Sequence, residues 1–185
     1  VRSRTLAKAP VVPVPTPERP FAVIHVDHKG PLPRSGRYTS ILVVVCALTR
    51  YTLYIPVKDQ TAEETHRMLL SRVYSVFGYP LVIVTDNGPA FKALQKHMAS
   101  FYGFRHIPIL PYNAAANGVA EASVKRIKLL LDRHTEGYAE WHQILPLAQQ
   151  QLNHHTHSGT GVSPYMALFG REPIGVPHLE NPETL

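Results

Sequence analysis

The order of apolar and polar positions along the chain predicts five strands separated by turns and helices. The predicted strands are rich in β-branched and aromatic residues and cover residues 21–27, 38–48, 51–57, 81–85 and 105–109. No helical stretch separates the first three strands, so we expect them to form an antiparallel meander. A helical stretch precedes each of the last two, so we expect right-handed crossovers into the sheet. The pattern therefore predicts an α/β fold, with a five-stranded mixed sheet and helices on both faces.

The helical stretches carry their own start and stop signals. Thr61 and Glu64 form a capping-box sequence that opens a helix extending to about Phe77. The apolar stripe of this helix consists of Leu69, Val73 and Val76. A second helix is predicted to end near residue 103. A third is predicted over residues 118–134 and a fourth over residues 138–154. Pro146 lies inside the last pattern and is expected to kink or split it.

Composition divides the chain into three parts. Residues 1–20 are rich in proline and hold four basic residues against one acidic residue, which predicts a semi-rigid basic linker. The folded core should span residues 21–157. Residues 158–185 are expected to be a turn-rich C-terminal extension.

The net charge points to an anionic partner. The chain has a formal net charge of +6 and a sequence pI of about 9.5. Nucleic acid is the first interpretation, although charge alone does not separate it from a membrane surface. No apolar run reaches the roughly 20 residues of a transmembrane helix. Cys46, the one cysteine, lies in an apolar run and is predicted to be a reduced core residue, as is typical of intracellular proteins.

Three acidic residues stand in distinctive local sequences. Asp27 and Asp86 each end an apolar run, and Glu121 begins a helical pattern. Functional groups gather near strand ends in sheets of this kind, and Mg²⁺ and Mn²⁺ prefer carboxylate oxygens. Three such residues are what a two-metal phosphoryl-transfer site requires. Taken singly, each has an ordinary explanation, because Asp is common in turns and Glu is favourable near a helix start.

Five segments of the chain, in order, resemble a known family. They are Arg-Pro-Phe-Ala-Val-Ile-His-Val-Asp at 19–27, Ile-Pro-Val-Lys-Asp-Gln-Thr-Ala-Glu-Glu at 55–64, Thr-Asp-Asn-Gly-Pro-Ala-Phe at 85–91, Pro-Tyr-Asn with Asn-Gly-Val-Ala-Glu at 111–121, and Ser-Pro-Tyr-Met-Ala-Leu-Phe-Gly-Arg-Glu-Pro at 163–173. Together they resemble the catalytic core of retroviral and gypsy-type retrotransposon integrases.

The resemblance implies a ribonuclease-H-like fold and a polynucleotidyl transferase. In similar enzymes three carboxylates, here Asp27, Asp86 and Glu121, bind two Mg²⁺ or Mn²⁺ ions. Such enzymes trim the 3′ ends of element DNA and join them to target DNA. The implied partners are double-stranded DNA and further copies of the chain, as a homodimer or larger homo-oligomer, and the implied place of action is the nucleus. No membrane partner is expected.

Two lysines on the third predicted helix are candidate DNA contacts. Glu121, Lys125 and Lys128 are spaced to share one helix face. A second stripe should face the core and consists of Val124, Ile127 and Leu131. The lysines are either part of a solvated, salt-bridged face or, as the resemblance implies, contacts for the phosphates of the DNA end.

Three loop residues before Glu121 are further candidates for DNA contact. Tyr112 either stacks on an unpaired base or anchors the loop. Asn117 either holds a phosphate or a water through its amide or caps the following helix. Gly118 either serves as a hinge or allows a close approach at the helix start.

The histidines beside Asp27 and the activity itself each have competing interpretations. His25 and His28 are either metal ligands or, as we favour for His25, packed and hydrogen-bonded within the sheet on the face of Asp27. The chain is an integrase core, a purely hydrolytic ribonuclease-H-like nuclease, or a co-opted integrase domain that binds DNA or protein without catalysis.

Overall fold

A computed structural model describes residues 17–86, 88–94, 103, 105–108, 122–129, 131–132 and 140–174. In this part of the chain the strands are β1 (Val23–Lys29), β2 (Ser40–Cys46), β3 (Thr52–Val57), β4 (Val82–Thr85) and β5 (Arg105–Pro108). They form one sheet in the order β3-β2-β1-β4-β5. Each strand begins and ends within two residues of its predicted bounds.

The pairing of the strands confirms the predicted mixed sheet. β1, β2 and β3 form an antiparallel meander. β4 runs parallel to β1, and β5 runs parallel to β4. All seven residues of β2 are buried, as predicted, but the middle strand of the sheet is β1. β1 extends to Lys29 rather than ending at Asp27, because its polar end stays paired with β2.

The first helix, α1 (Ala62–Leu69), passes without a break into a π-helical turn (Leu70–Tyr74) and a last turn (Ser75–Phe77). The prediction that Val76 faces the core is wrong, since 67% of its surface is exposed. A π-helical turn holds more residues than an α-helical turn, so it rotates the positions that follow. Tyr74, the last residue of that turn, is buried, and Phe77 packs against the core in place of Val76.

The predicted capping box at the start of α1 is half formed. The hydroxyl of Thr61 accepts a hydrogen bond from the Glu64 N–H at 3.3 Å. The Thr61 N–H donates instead to the carboxylate of Asp59 at 2.9 Å. The carboxylate of Glu64 pairs with Arg67 at 2.7 Å, so it is engaged one turn further along the helix.

Helices cover both faces of the sheet, as predicted. On one face, α1 and a helical segment α2 (residues 89–94) enclose a core. This first core includes Ile24, Val26, Leu42, Val44, Leu69, Val73 and Phe91. On the other face lie α3 (residues 122–129 and 131–132) and α4 (Trp141–His154). The second core includes Ile41, Val43, Val45, Ile127, Leu131, Trp141 and Leu145.

Two predictions for the C-terminal third need correction or extension. α4 contains Pro146 but is not split by it. The segment expected to be turn-rich contains a further helix, α5 (Pro164–Phe169). Its N-cap is Ser163, whose hydroxyl accepts the Met166 N–H at 2.9 Å. A serine N-cap followed by proline is a common helix start, and the prediction of a turn-rich extension did not take it into account.

The single cysteine is a buried free thiol, as predicted. Its sulfur accepts the Phe21 N–H at 3.2 Å, which ties the start of β1 to the end of β2. Within the described ranges, no helix combines the length and apolar character needed to cross a bilayer. The predicted linker, core and extension boundaries stay predictions.

Candidate functional site

Asp27 and Asp86 occupy neighbouring positions on two adjacent parallel strands. The last pair in the register of β1 with β4 is Val26 with Thr85. Asp27 and Asp86 are the residues that follow this pair, one on each strand's path. Adjacent strands lie about 4.8 Å apart. Asp86 follows β4, as predicted, whereas Asp27 lies inside β1, where it pairs with β2. The fold therefore brings these two acidic residues together at the carboxyl end of β4.

A main-chain N–H group orients each carboxylate. Asp27 Oδ1 accepts the His28 N–H at 2.7 Å, and Asp86 Oδ1 accepts the Gly88 N–H at 2.9 Å. A Cβ atom on Gly88 would lie 2.9 Å from Asp86 Oδ1, so glycine leaves room for the carboxylate. A carboxylate has about four lone-pair sites, so such hydrogen bonds are compatible with binding a cation as well.

Thr85 and His106 support the turn that carries Asp86. The Thr85 hydroxyl donates to the Asp86 carbonyl at 2.7 Å and lies 2.7 Å from His106 Nε2. Because the hydroxyl proton is already donated to that carbonyl, the hydroxyl oxygen accepts a hydrogen bond from His106, which is then neutral and protonated on Nε2. Burial lowers the pKa of His106, which favours that neutral form. Sequence reasoning missed both residues, because only the register of β4 with β5 shows that they meet.

The two histidines beside Asp27 are packed side chains. His28 stacks on Phe91 with ring centroids 4.8 Å apart, and its Nε2 lies 3.1 Å from the Thr65 hydroxyl. Burial lowers the pKa of His28 to about 4, against the opposing charge of Asp86. These contacts place the ring against the first core.

His25 is buried on the sheet face that carries Asp27, since both alternate with the first-core residues of β1. Burial, followed by the charge of Arg50, lowers the pKa of His25 to about 4. The expected hydrogen bond is missing at Nδ1, which has no partner within the described part of the chain. The described part of the chain also contains no group of three or more His, Cys, Asp or Glu side chains suited to a metal ion.

α3 packs on the sheet face that carries Asp27. Ile127 and Leu131 are fully buried in the second core, and Val124 packs against it, as predicted. Lys125 and Lys128 are exposed on the same helix. No ion pair between described residues joins either lysine to Asp27 or Asp86. The four remaining site candidates, which are Tyr112, Asn117, Gly118 and Glu121, lie outside the described residues.

A tyrosine that sequence reasoning did not single out fixes the start of α3. The Tyr54 hydroxyl donates to the Ser123 carbonyl at 2.9 Å. Tyr54 is buried in the second core, and burial raises its pKa, so the phenol keeps its proton. The contact holds α3 to the sheet two residues after Glu121.

Comparison with known proteins agrees with the fold and with the sequence resemblance. Residues 17–114 match the family described as Integrase core domain. The chain therefore belongs to the integrase core domain family. It is 32% identical over 167 residues to the Tf2-3 and Tf2-4 transposon polyproteins of Schizosaccharomyces pombe. That match covers 89% of this chain and 12% of each polyprotein, so the chain spans a small part of its relatives.

Solved integrase structures share the ribonuclease-H-like fold of this chain. The HTLV-2 integrase catalytic core domain in complex with magnesium, in its trimeric form, has a TM-score of 0.61 at 22% identity, covering 81% of this chain and 97% of that one. A simian T-cell lymphotropic virus intasome in complex with PP2A regulatory subunit B56 gamma has a TM-score of 0.66 at 20% identity. That match covers 94% of this chain and 65% of the other chain. The predicted fold class is thus confirmed.

Proposed function

We propose that this chain is the catalytic core of an integrase that processes the 3′ ends of element DNA and transfers them to target DNA. The observation that carries the proposal is the placement of Asp27 beside Asp86 at the carboxyl end of β4. Family membership supports the same activity. The reaction is a displacement at a phosphodiester, in which a water or a 3′-hydroxyl attacks phosphorus and a 3′-oxygen leaves.

The donor chemistry of the site fits Mg²⁺ or Mn²⁺. Both ions prefer hard oxygen ligands, and the two adjacent aspartates supply them. Asp27, Asp86 and Glu121 would together hold the two ions. When bound, such ions lower the pKa of the attacking hydroxyl and stabilise the charge of the leaving oxygen. The HTLV-2 core, a protein of the same fold, is a magnesium complex.

The protein's own residues contribute rigidity to this site. The Thr85 hydroxyl and His106 hold the turn after β4, and the Tyr54 hydroxyl holds the start of α3. Fixed positions for the acidic groups reduce the reorganisation needed when substrate arrives. The nearby imidazole of His28 is neutral at pH 7, because its pKa is about 4, so it adds no charge to the site.

DNA is the proposed partner. Lys125 and Lys128 are exposed on α3, where two ammonium groups attract phosphates of a DNA end. Tyr112, Asn117 and Gly118 complete the proposed contact region. We further propose that the chain works as a homo-oligomer in the nucleus. HTLV-2 cores of the same fold occur in trimeric and dimeric forms.

Disintegration, the reverse of strand transfer, tests the activity. The chain would be incubated with a branched DNA substrate and Mn²⁺ beside the variants Glu121→Gln and Asp86→Asn. Glu63→Gln is the matched control, since Glu63 is an exposed carboxylate in the first turn of α1. We expect resealed product from the wild type and the control, with both site variants reduced by several orders of magnitude.

The products separate the competing functions. Nicked DNA without resealing would favour the hydrolytic nuclease. DNA binding without any product would favour a co-opted, non-enzymatic domain. A substantial residual rate in Asp86→Asn would remove that residue from the site.

A further inference from the structure

Two arginines, a histidine and two hydroxyls converge on a cavity of about 220 Å³ on the sheet face that carries α3. Arg50 comes from the turn between β2 and β3, and Thr52 from β3 itself. Ser123 and Arg126 come from α3, and His157 comes from the loop after α4. Because these residues are distant in sequence, the cluster is a product of the fold. We call it the Arg50–Arg126 cavity.

The positive charge of this cavity is not balanced locally. Within the described ranges neither arginine forms an ion pair, and no Asp or Glu among those residues lines the cavity. The charge also affects the neighbouring imidazole. Burial, and then the charges of Arg126 and Arg50, lower the pKa of His157. Two unpaired guanidinium groups directed at one space favour an anion there.

The remaining polar groups suit an oxyanion. His157 Nδ1 accepts the Gly159 N–H at 3.1 Å, so the neutral ring carries its proton on Nε2 as a donor. The Thr52 hydroxyl donates to the Arg50 carbonyl at 3.1 Å, which ties the turn that carries Arg50, and it lies 3.4 Å from the Ser123 hydroxyl. An oxyanion with several acceptor oxygens matches the guanidinium and imidazole donors.

The backbone of Arg50 gives independent support. Its φ is 64°, in the left-handed region that glycine adopts readily and a side-chain-bearing residue does not. Strained residues of this kind are concentrated at binding and functional sites. An arginine in a tight turn, where glycine is easier to accommodate, is consistent with a use for its charge.

We propose that the Arg50–Arg126 cavity binds a phosphate group, either free or carried by a nucleic-acid backbone. A second cavity of about 290 Å³ adjoins it and shares Arg126, Leu152 and His157. Leu129 and Gln151 add apolar and amide surface there. This second space admits a larger group attached to the phosphate. The nucleic-acid source rests on the proposed function, whereas binding of free phosphate does not.

The test measures pyrophosphate binding by calorimetry in EDTA, which keeps divalent metals and the proposed catalytic site out of the result. We expect Arg126→Gln and Arg50→Asn each to weaken binding about tenfold, because each removes one charged donor. Arg72→Gln is the matched control, since Arg72 is an exposed arginine on the π-helical turn after α1. Asn tolerates the left-handed region better than most residues, and Arg126 is exposed, so at least one variant should fold.

A local readout and a competition arm complete the experiment. The ring proton signals of His157 should shift with pyrophosphate in the wild type and not in Arg126→Gln. Displacement of pyrophosphate by a short DNA duplex would identify the nucleic-acid backbone as the source, and failure to displace it would identify a free phosphate compound. Absent pyrophosphate binding, or binding that is equal in Arg126→Gln and the wild type, would overturn the proposal. The disintegration assay is separate, so either proposal can fail alone.

Discussion

The Tyr54 hydroxyl donates a 2.9 Å hydrogen bond to the carbonyl of Ser123 and so ties an edge strand to the first turns of α3. Tyr54→Phe removes the donor without changing the ring. We expect a loss of about 1 kcal/mol in the free energy of unfolding, because a buried hydrogen bond is lost. Urea denaturation measures this change.

The same variant should also lower the disintegration rate, since Glu121 precedes Ser123 by two residues. Tyr38→Phe is the control, because Tyr38 packs against the same core and its hydroxyl has no hydrogen bond among the described residues. Equal stability of the two variants would show that the Tyr54 contact contributes nothing measurable.

Asp27→Asn should remove the stabilisation that divalent metal gives to the folded chain. Asn keeps an Oδ1 atom, the type of acceptor that now receives the His28 N–H, so the variant should fold in EDTA. A ligand that binds only the native state raises the melting temperature, by an amount equivalent to about 2.7 kcal/mol at a hundredfold excess over Kd. Melting curves with and without Mn²⁺ test this, with Glu63→Gln as the control. An equal Mn²⁺ shift in Asp27→Asn would place the metal elsewhere.

Lys125→Gln and Lys128→Gln should weaken DNA binding and reduce its dependence on salt. Each phosphate contact contributes about 0.9 to the slope of log K against log salt. The double variant should therefore lower that slope by about 1.8 if both lysines contact phosphates. Fluorescence anisotropy on a duplex end, over a range of salt concentrations, gives the slope. An unchanged slope would indicate that these exposed lysines are only a solvated helix face.

Asn153 protects the edge of the sheet at β3. Its amide accepts the Thr52 N–H and donates to the Thr52 carbonyl, both at 2.8 Å, in a fully buried position. Asn153→Leu leaves both main-chain groups without a partner, and we expect a loss of about 2–5 kcal/mol. Asn153→Ala, which leaves space that water can enter, should cost less. Urea denaturation of the two variants decides this, and a neutral Asn153→Leu would contradict the proposed edge protection.

His25 should make the fold sensitive to mild acid. Its pKa in the folded chain is about 4, below the usual value of 6.5, so the unfolded chain binds the proton more readily. Stability is therefore fully present above about pH 6.5 and falls as the pH drops towards 4. The contribution of His25 to this loss is about 3 kcal/mol at most.

Urea denaturation at pH 7 and pH 5 in EDTA measures the acid sensitivity. His28 has the same lowered pKa, so His25→Leu should remove part of the loss and not all of it. His155→Gln, at an exposed position, should leave the loss unchanged. A pH dependence that is identical in His25→Leu and the wild type would show that His25 titrates normally.

Local sequence was sufficient for most of the secondary structure. β-branched runs, proline and glycine breaks and the Thr61 cap act within a few residues, so the strands and α1 follow from local preferences. The exposed Val76 was mispredicted because the π-helical turn changes the helical phase, and no local signal marks that turn. The start of α5 was signalled by Ser163 and Pro164, but the predicted turn-rich segment left it out.

The sequence by itself determined the family, the order of the strands along the chain and the identity of the acidic candidates, because motifs and periodicity are properties of short segments. Only the tertiary structure decided that Asp27 lies beside Asp86, since strand register depends on pairing between residues far apart in the chain. The same holds for Arg50 and Arg126, which line one cavity although they come from a turn and a helix far apart in the sequence. Contacts of this kind arise from the packing of whole elements, so no single segment encodes them.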